Sequence, residues 1–439
     1  MKPGPVQEAD ISGLSHDGRG IARIDGKVTF VPGALPGERV TLRIVKRGRQ
    51  MDEAWLGTVL IPSPDRVPAK CEHFGVCGGC TLQHLQPAAQ LAAKQQQLLA
   101  DLEHIGRVRP QRVLAPMPGP AWAYRRRARI AVKYVRKKGR VLAGFRERDK
   151  PYVADVRHCE VLVAELRSLP QDLAALVETL DIREHVPQVE IAVGDAAAAL
   201  VVRVMRPPSA ADLEKLDAFG RDRGVSLYLQ PGGIDSIRAL HADTAALYYA
   251  IDCDESARIV IEFGPADFIQ VNRHVNGAMI EAAALHLEAE PGHLVLDLFC
   301  GLGNFTLPLA RRALHVLGVD GDAGLVAKAG ANAARNKIEN VKFVTENLFE
   351  PPGFGAWAAA HYDRVLLDPP RAGARELMLR MAAWRPRRVV YISCHPGSLA
   401  RDAGILVETQ GFRLIGAGVM DMFPHTTHVE SIAVFEAGP

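Results

Sequence analysis

The chain lacks several features that would narrow its function at once. No apolar run approaches the roughly 20 residues that cross a bilayer. Its opening, MKPGPVQEAD, has no apolar core of the kind a signal peptide carries. A cytoplasmic protein with no membrane partner is therefore expected. The formal net charge is only +3, too small to argue for nucleic acid by itself, so the distribution of charge must carry that case. Seven cysteines are an odd number, and their uneven spacing does not suggest a disulfide framework. No internal repeat is found, and no low-complexity tract beyond the short Ala196–Ala199 run. What remains is 439 residues, 48% hydrophobic, with a mean hydropathy of zero: a chain with ample core and room for about three domains.

Residues 1–62 read as a small all-β barrel. Short apolar runs (Val28–Val31, Val40–Ile44, Ala54–Ile61) are separated by turns at Asp17-Gly18, Asp25-Gly26 and Pro36-Gly37. Arg39, Arg43, Lys46, Arg47 and Arg49 make one side basic, suited to a phosphate backbone. Pro62, Pro64 and Pro68 follow as a linker.

Residues 63–260 read as a central α+β domain. It opens on Cys71, Cys77 and Cys80 at C-x5-C-x2-C spacing, with Gly78 and Gly79 permitting sharp turns. In a reducing compartment such a cluster suggests metal. Cys159 is the nearest remaining cysteine for a fourth ligand, and four thiolates suit either zinc or an iron–sulfur cluster. A helix is expected from about Leu82 to His104. The segment Tyr124–Lys138 alternates Ala128, Ile130, Val132 and Tyr134 with Arg127, Arg129 and Lys133, which predicts a strand with a basic outer face and a phosphate track. Strands are expected at 188–193 and 199–205, and a helix at 211–223.

From residue 261 strand and helix alternate. Leu294–Leu298 is a buried strand running into the glycine turn Cys300-Gly301-Leu302-Gly303-Asn304, where a ligand can approach the backbone. The next strand ends in Asp320, an acid placed for ribose hydroxyls. The third ends near Asn347, and the fourth in Asp368-Pro369-Pro370-Arg371. Thr306 stands where a phosphate-binding turn would carry its third glycine. The run Val389-Val390-Tyr391-Ile392-Ser393 then leads into Cys394-His395-Pro396, a cysteine at the end of a buried strand.

This succession resembles class I S-adenosylmethionine methyltransferases with a Rossmann-like α/β fold. More specifically, five stretches resemble the RNA uracil-C5 methyltransferase family: Phe268–Asn272, Asp297–Phe305, Leu367–Gly373, Ile392–Pro396 and Pro424–Glu430. The barrel looks like a TRAM domain, and its presence together with the cysteine loop points to the ribosomal branch, which acts on 23S rRNA. The resemblance implies cofactor contacts at Gln270, Phe299, Asn304, Asp320, Asn347 and Asp368. It makes Cys394 the nucleophile and Glu430 the base, and it assigns Cys71, Cys77, Cys80 and Cys159 to a [4Fe-4S] cluster. Residues 88–120 pack on the catalytic domain in such enzymes. A uridine flipped from an RNA loop is the expected substrate, and a monomer is expected. Competing readings are the same chemistry on tRNA, a cytosine-C5 or amino-group methyltransferase, and a catalytically silent RNA-binding assembly factor.

Overall fold

The computed structural model describes residues 5–253, 258–350 and 355–438. Strands Val6–Leu14, Arg19–Ile24, Lys27–Pro32, Met51–Ile61 and Arg39–Arg47 close, in that spatial order, into a barrel. Ile11, Ala22, Val31, Val40, Leu42, Ile44 and Ala54 fill it, as period-two alternation requires. Asp25 and Gly26 both take positive φ between paired Ile24 and Lys27, the backbone of a tight two-residue hairpin. Buried Glu38 ties off the exit: it accepts from Leu35 N and Ser63 N and holds the Arg66 guanidinium.

A second sheet has six strands in the order Arg238–Ala239, Val225–Gln230, Ala198–Arg203, Gln188–Val193, Arg127–Val135 and Arg140–Gly144. Helices Leu169–Glu178 and Ala210–Arg223 pack on it. The alternation at 127–135 is present, with Ala128, Ile130 and Val132 buried. Its arginines are not a free phosphate track. Arg127 and Arg129 both pair with Glu190 on the neighbouring strand, and Arg126 pairs with Asp195.

The third sheet has eight strands: Val341–Thr345, His315–Asp320, Leu294–Leu298, Arg364–Leu367, Arg388–Ser393, Glu430–Ala437, Phe412–Met420 and Arg112–Val113. The first five are mutually parallel and Glu430–Ala437 runs antiparallel. Its central strands are apolar runs because both faces are covered. Leu294–Leu298 lies between His315–Asp320 and Arg364–Leu367; the chain winds outward from it first to one side and then to the other, so the crevice outside its carboxyl end is the switch point where ligands bind.

Helix Pro87–His104 and the short strand Arg112–Val113 belong spatially to this sheet: the helix packs on helix Pro396–Gln410 and strand Phe412–Met420. A side chain at Gly404 would strike the carbonyl of Gly106 at 2.7 Å, so the two segments meet backbone to backbone. Leu247–Asp252 and Arg258–Phe263 form a separate two-stranded ribbon, and the expected division at 260/261 falls inside it.

Candidate active site

The turn after Leu294–Leu298 needs unusual backbone: Phe299, Gly301 and Gly303 all have positive φ. Asp320 pins it. Its carboxylate accepts from Gly301 N at 2.9 Å and from Asp322 N at 2.9 Å. Behind the turn, fully buried Asp297 accepts from the Thr306 hydroxyl at 2.5 Å, and burial pushes its carboxyl up to about 7. Asn304 is locked by two groups that sequence reasoning missed. Its amide forms a reciprocal pair with Asn276, at 3.1 and 3.0 Å, and its oxygen also accepts from the Tyr249 hydroxyl at 2.9 Å. Gln270 lies beside Tyr249 and Asn276 around a small cavity. At the next strand tip Asn347 accepts from Phe349 N, and the Phe349 ring sits 5.7 Å from that of Phe299.

Cys394 and Glu430 are brought together by strand pairing. Ser393 is in register with Ser431, whose hydroxyl donates to the Ser393 carbonyl at 3.1 Å. One step further on, Cys394 stands across from Glu430. Glu430 is 4% exposed. Burial and neighbouring Asp368 push its carboxyl up to about 8, against the pull of Lys94. Burial also raises Asp368, to about 7. The Cys394 thiol is pushed up to about 11 by burial and by the Glu430 and Asp368 carboxylates, with Arg371 acting the other way. Cys394 lines a cavity of about 420 Å³ with Arg371, His395, Thr427 and His428, and with His16 and Asp17 of the barrel.

The loop leading into Glu430 is held from outside its own sheet. Lys94 donates to Asp421 Oδ1 at 2.7 Å and to the Phe423 carbonyl at 3.0 Å. Gln90 accepts from His425 N at 2.7 Å. Thr81 N and Leu82 N both donate to the His425 carbonyl, and Tyr124 donates to that of Pro424. His425 itself has φ +65°, a conformation a histidine holds only where its surroundings impose it. None of these anchors was expected from the sequence.

Cys71, Cys77, Cys80 and Cys159 all line one small cavity of about 20 Å³, with Arg125 and Gln83 in its wall. Among the described residues no three His, Cys, Asp or Glu side chains form a group that could hold a metal ion; the thiols surround a space rather than converge on a point. Gly78 and Gly79 stand in a turn, as expected; a Cβ at Gly78 would also lie 2.9 Å from the Arg146 carbonyl, so glycine is needed there for close approach. A groove of about 590 Å³ runs beside this loop, walled by Arg19 and Pro32 of the barrel and by Thr427 and His428, with Arg125, Arg146 and Arg148 set among Asp17, Glu147 and Asp149. Asp17, Thr427 and His428 also line the Cys394 cavity, so the two spaces adjoin. No helix among the described residues is long and apolar enough to cross a membrane.

Residues 252–350 and 357–437 match the family model for tRNA (Uracil-5-)-methyltransferase, and residues 2–51 match the TRAM domain. The chain is 50% identical over 430 residues to the 23S rRNA (uracil(1939)-C(5))-methyltransferase RlmD of Alkalilimnicola ehrlichii, covering 98% of this chain and 96% of that protein. It is 49% identical to the RlmD of Methylococcus capsulatus, covering 99% and 98%. Among solved structures it resembles the tRNA (uracil-54, C5)-methyltransferase of Pyrococcus abyssi in complex with S-adenosyl-L-homocysteine, with a TM-score of 0.74, 24% identity and coverage of 98% of this chain and all of that one. With a closed TRAM barrel at one end and a class I methyltransferase sheet at the other, the chain belongs to the 23S rRNA uracil-C5 methyltransferase family.

Proposed function

We propose that this chain transfers a methyl group from S-adenosylmethionine to carbon 5 of a uridine in 23S rRNA, giving 5-methyluridine. One observation carries the reading: the facing positions of Cys394 and Glu430 at the carboxyl edge of the sheet, beside Asp368, with the Cys394 cavity opening next to a charged groove that carries four arginines.

Carbon 5 of neutral uracil is a weak nucleophile. Cys394 sulfur bonds to carbon 6, and the ring electrons shift toward oxygen 4 to make an enolate. Carbon 5 takes the methyl group, for which the sulfonium of S-adenosylmethionine is the donor. Glu430 then removes the carbon 5 proton, and the electron pair reforms the 5,6 double bond and expels the cysteine thiolate. A carboxyl raised to about 8 is well matched to holding that proton near neutral pH. Arg371, the cation beside Cys394, favours its thiolate.

Gln270, Phe299, Asn304, Asp320, Asn347 and Asp368 are assigned to the cofactor. Phe349 joins them, because its ring packs against that of Phe299 beside the tip that carries Asn347. The four thiols around one cavity are assigned to a [4Fe-4S] cluster. Its work is structural: Thr81 and Leu82, next to Cys80, hold His425 in the loop that carries Glu430. Residues 1–62 and the central unit, 63–260, grip RNA around the target. Residues 261–439, with 88–120 packed against them, perform catalysis. The chain is assigned to the cytoplasm, where the rRNA is, and to action as a monomer.

The test is methyl transfer from labelled cofactor to protein-free 23S rRNA and, separately, to bulk tRNA, with nucleoside analysis. 5-Methyluridine is expected in the rRNA and none with Cys394→Ala. Label in tRNA alone would overturn the substrate, and tight RNA binding without label would favour a silent binder.

A further inference from the structure

The barrel carries an exposed tryptophan, and its neighbours form a row. Arg19 is in register with Pro32, Trp55 with Arg43, and Arg43 with Val6. Strands Lys27–Pro32 and Met51–Ile61 run parallel from Val28 beside Met51 to Phe30 beside Glu53. Two residues further the same register sets Pro32 beside Trp55. A Cβ on the next residue, Gly33, would lie 3.5 Å from the Leu56 side chain, so the strands are still adjacent there. Arg19, Pro32, Trp55, Arg43 and Val6 therefore cross the outer face of the barrel side by side. Trp55 is 66% exposed and Val6 57%. At one end the row enters the groove that adjoins the Cys394 cavity, because Arg19 and Pro32 line that groove.

The charges on this face are not equally available. Arg39 and Lys46 pair with Glu8 and Glu53, and Arg19 with Asp17. Arg43 makes no ion pair among the described residues, and Arg47 and Arg49 follow it into the exposed turn.

We propose that Trp55 and Arg43 form a stacking platform for one unpaired nucleobase of the RNA flanking the target uridine. The indole face takes the base and Arg43 the adjoining phosphate. The inference rests on the RNA methyltransferase reading. RNA is favoured over a protein partner by the unpaired cation beside the indole and by continuity with the groove.

The test compares the full chain with Trp55→Ala, Trp55→Phe and Arg43→Ala, on a short hairpin holding only the target loop and on a longer 23S fragment with single-stranded flanks. Trp55→Ala should weaken binding of the longer RNA about tenfold, within the range a stacked base contributes. It should leave hairpin binding, and the single-turnover methylation rate at saturating RNA, unchanged. Trp55→Phe should recover most of the loss. Arg43→Ala should flatten the salt dependence by about one phosphate contact. Ultraviolet cross-linking should join the peptide containing Trp55 to a flanking nucleotide. Equal affinity of wild type and Trp55→Ala for the longer RNA, with methylation intact, would overturn the platform alone. A dimer that dissociates in Trp55→Ala would also overturn it, assigning the face to a second copy. Wild-type protein that neither binds nor methylates either RNA would overturn the platform and the underlying reading together.

Discussion

Lys94 and Asp421 form an ion pair of 2.7 Å, with their side chains 3% and 4% exposed. The lysine comes from helix Pro87–His104, far from the catalytic strands in sequence, and the aspartate begins the loop that ends at Glu430. A buried charge stripped of its partner is costly. Lys94→Ala leaves Asp421 buried and unpaired and removes the donor to the Phe423 carbonyl. It should lower stability by about 3 kcal/mol, read by denaturant unfolding. Lys94→Met with Asp421→Leu should regain most of that, since the pair is then replaced by apolar volume. A double variant as unstable as the single one would show that the pair is not what holds the loop.

Glu430 allows a pH test with a defined sign. Its folded pKa of about 8 lies above the ordinary carboxylate value because burial disfavours the charged form. The folded state therefore binds the proton more tightly than the unfolded chain. The associated stability is fully present at low pH and is lost progressively as pH rises from the ordinary range through about 8. Glu430→Gln should leave the melting temperature nearly unchanged at pH 5. At pH 9 it should raise it, by roughly 2–4 °C for each kcal/mol recovered. The same variant should lose turnover while accumulating protein covalently joined to methylated RNA, because addition and methyl transfer precede the proton removal. Equal melting shifts at both pH values would refute the burial argument.

Parts of this organisation were readable in the sequence for a physical reason. Strands covered on both faces must be apolar throughout, so the runs ending in Asp320, Asp368 and Cys394 declare both a strand and the group at its tip. Long-range polar partners leave no such trace. Nothing near Arg127 and Arg129 indicates that Glu190, some sixty residues later, pairs with both. Lys94 and Gln90 lie in a helix rich in glutamine and alanine, and only packing on strand Phe412–Met420 turns their side chains inward. The two-residue strand Arg112–Val113 is too short for any pattern. Asn276 and Tyr249 lack special spacing to Asn304; they meet it because the ribbon and helix Arg273–Leu287 fold over the glycine turn.

The cysteine cavity makes a structural prediction independent of catalysis. If the four thiols hold an iron–sulfur cluster, Cys159→Ser should abolish its visible absorption. The loop 71–80 should then lose the constraint that positions Thr81 and Leu82. Their amides, bonded to the His425 carbonyl, should exchange with deuterium faster, whereas amides of the barrel core such as Val31 should not change. Exchange at 81–82 that is indifferent to the substitution would separate the cluster from the loop bearing Glu430.

The last prediction concerns cofactor affinity. Asn304 is oriented by the amide of Asn276 and the hydroxyl of Tyr249, neither of which belongs to the glycine turn. Tyr249→Phe removes one hydrogen bond worth about 1 kcal/mol. It should weaken S-adenosylmethionine binding roughly fivefold, since a factor of ten corresponds to about 1.4 kcal/mol. Asn276→Ala removes two and frees the Asn304 side chain to turn, and about 2 kcal/mol converts to roughly thirtyfold. Calorimetric titration of the cofactor without RNA reads both values directly. Because neither residue is assigned to the uracil, the methylation rate at saturating cofactor should stay close to wild type. Affinity unchanged in Asn276→Ala would mean that the turn alone orients Asn304; a fall in rate without loss of affinity would move Asn276 from positioning the cofactor to the chemistry itself.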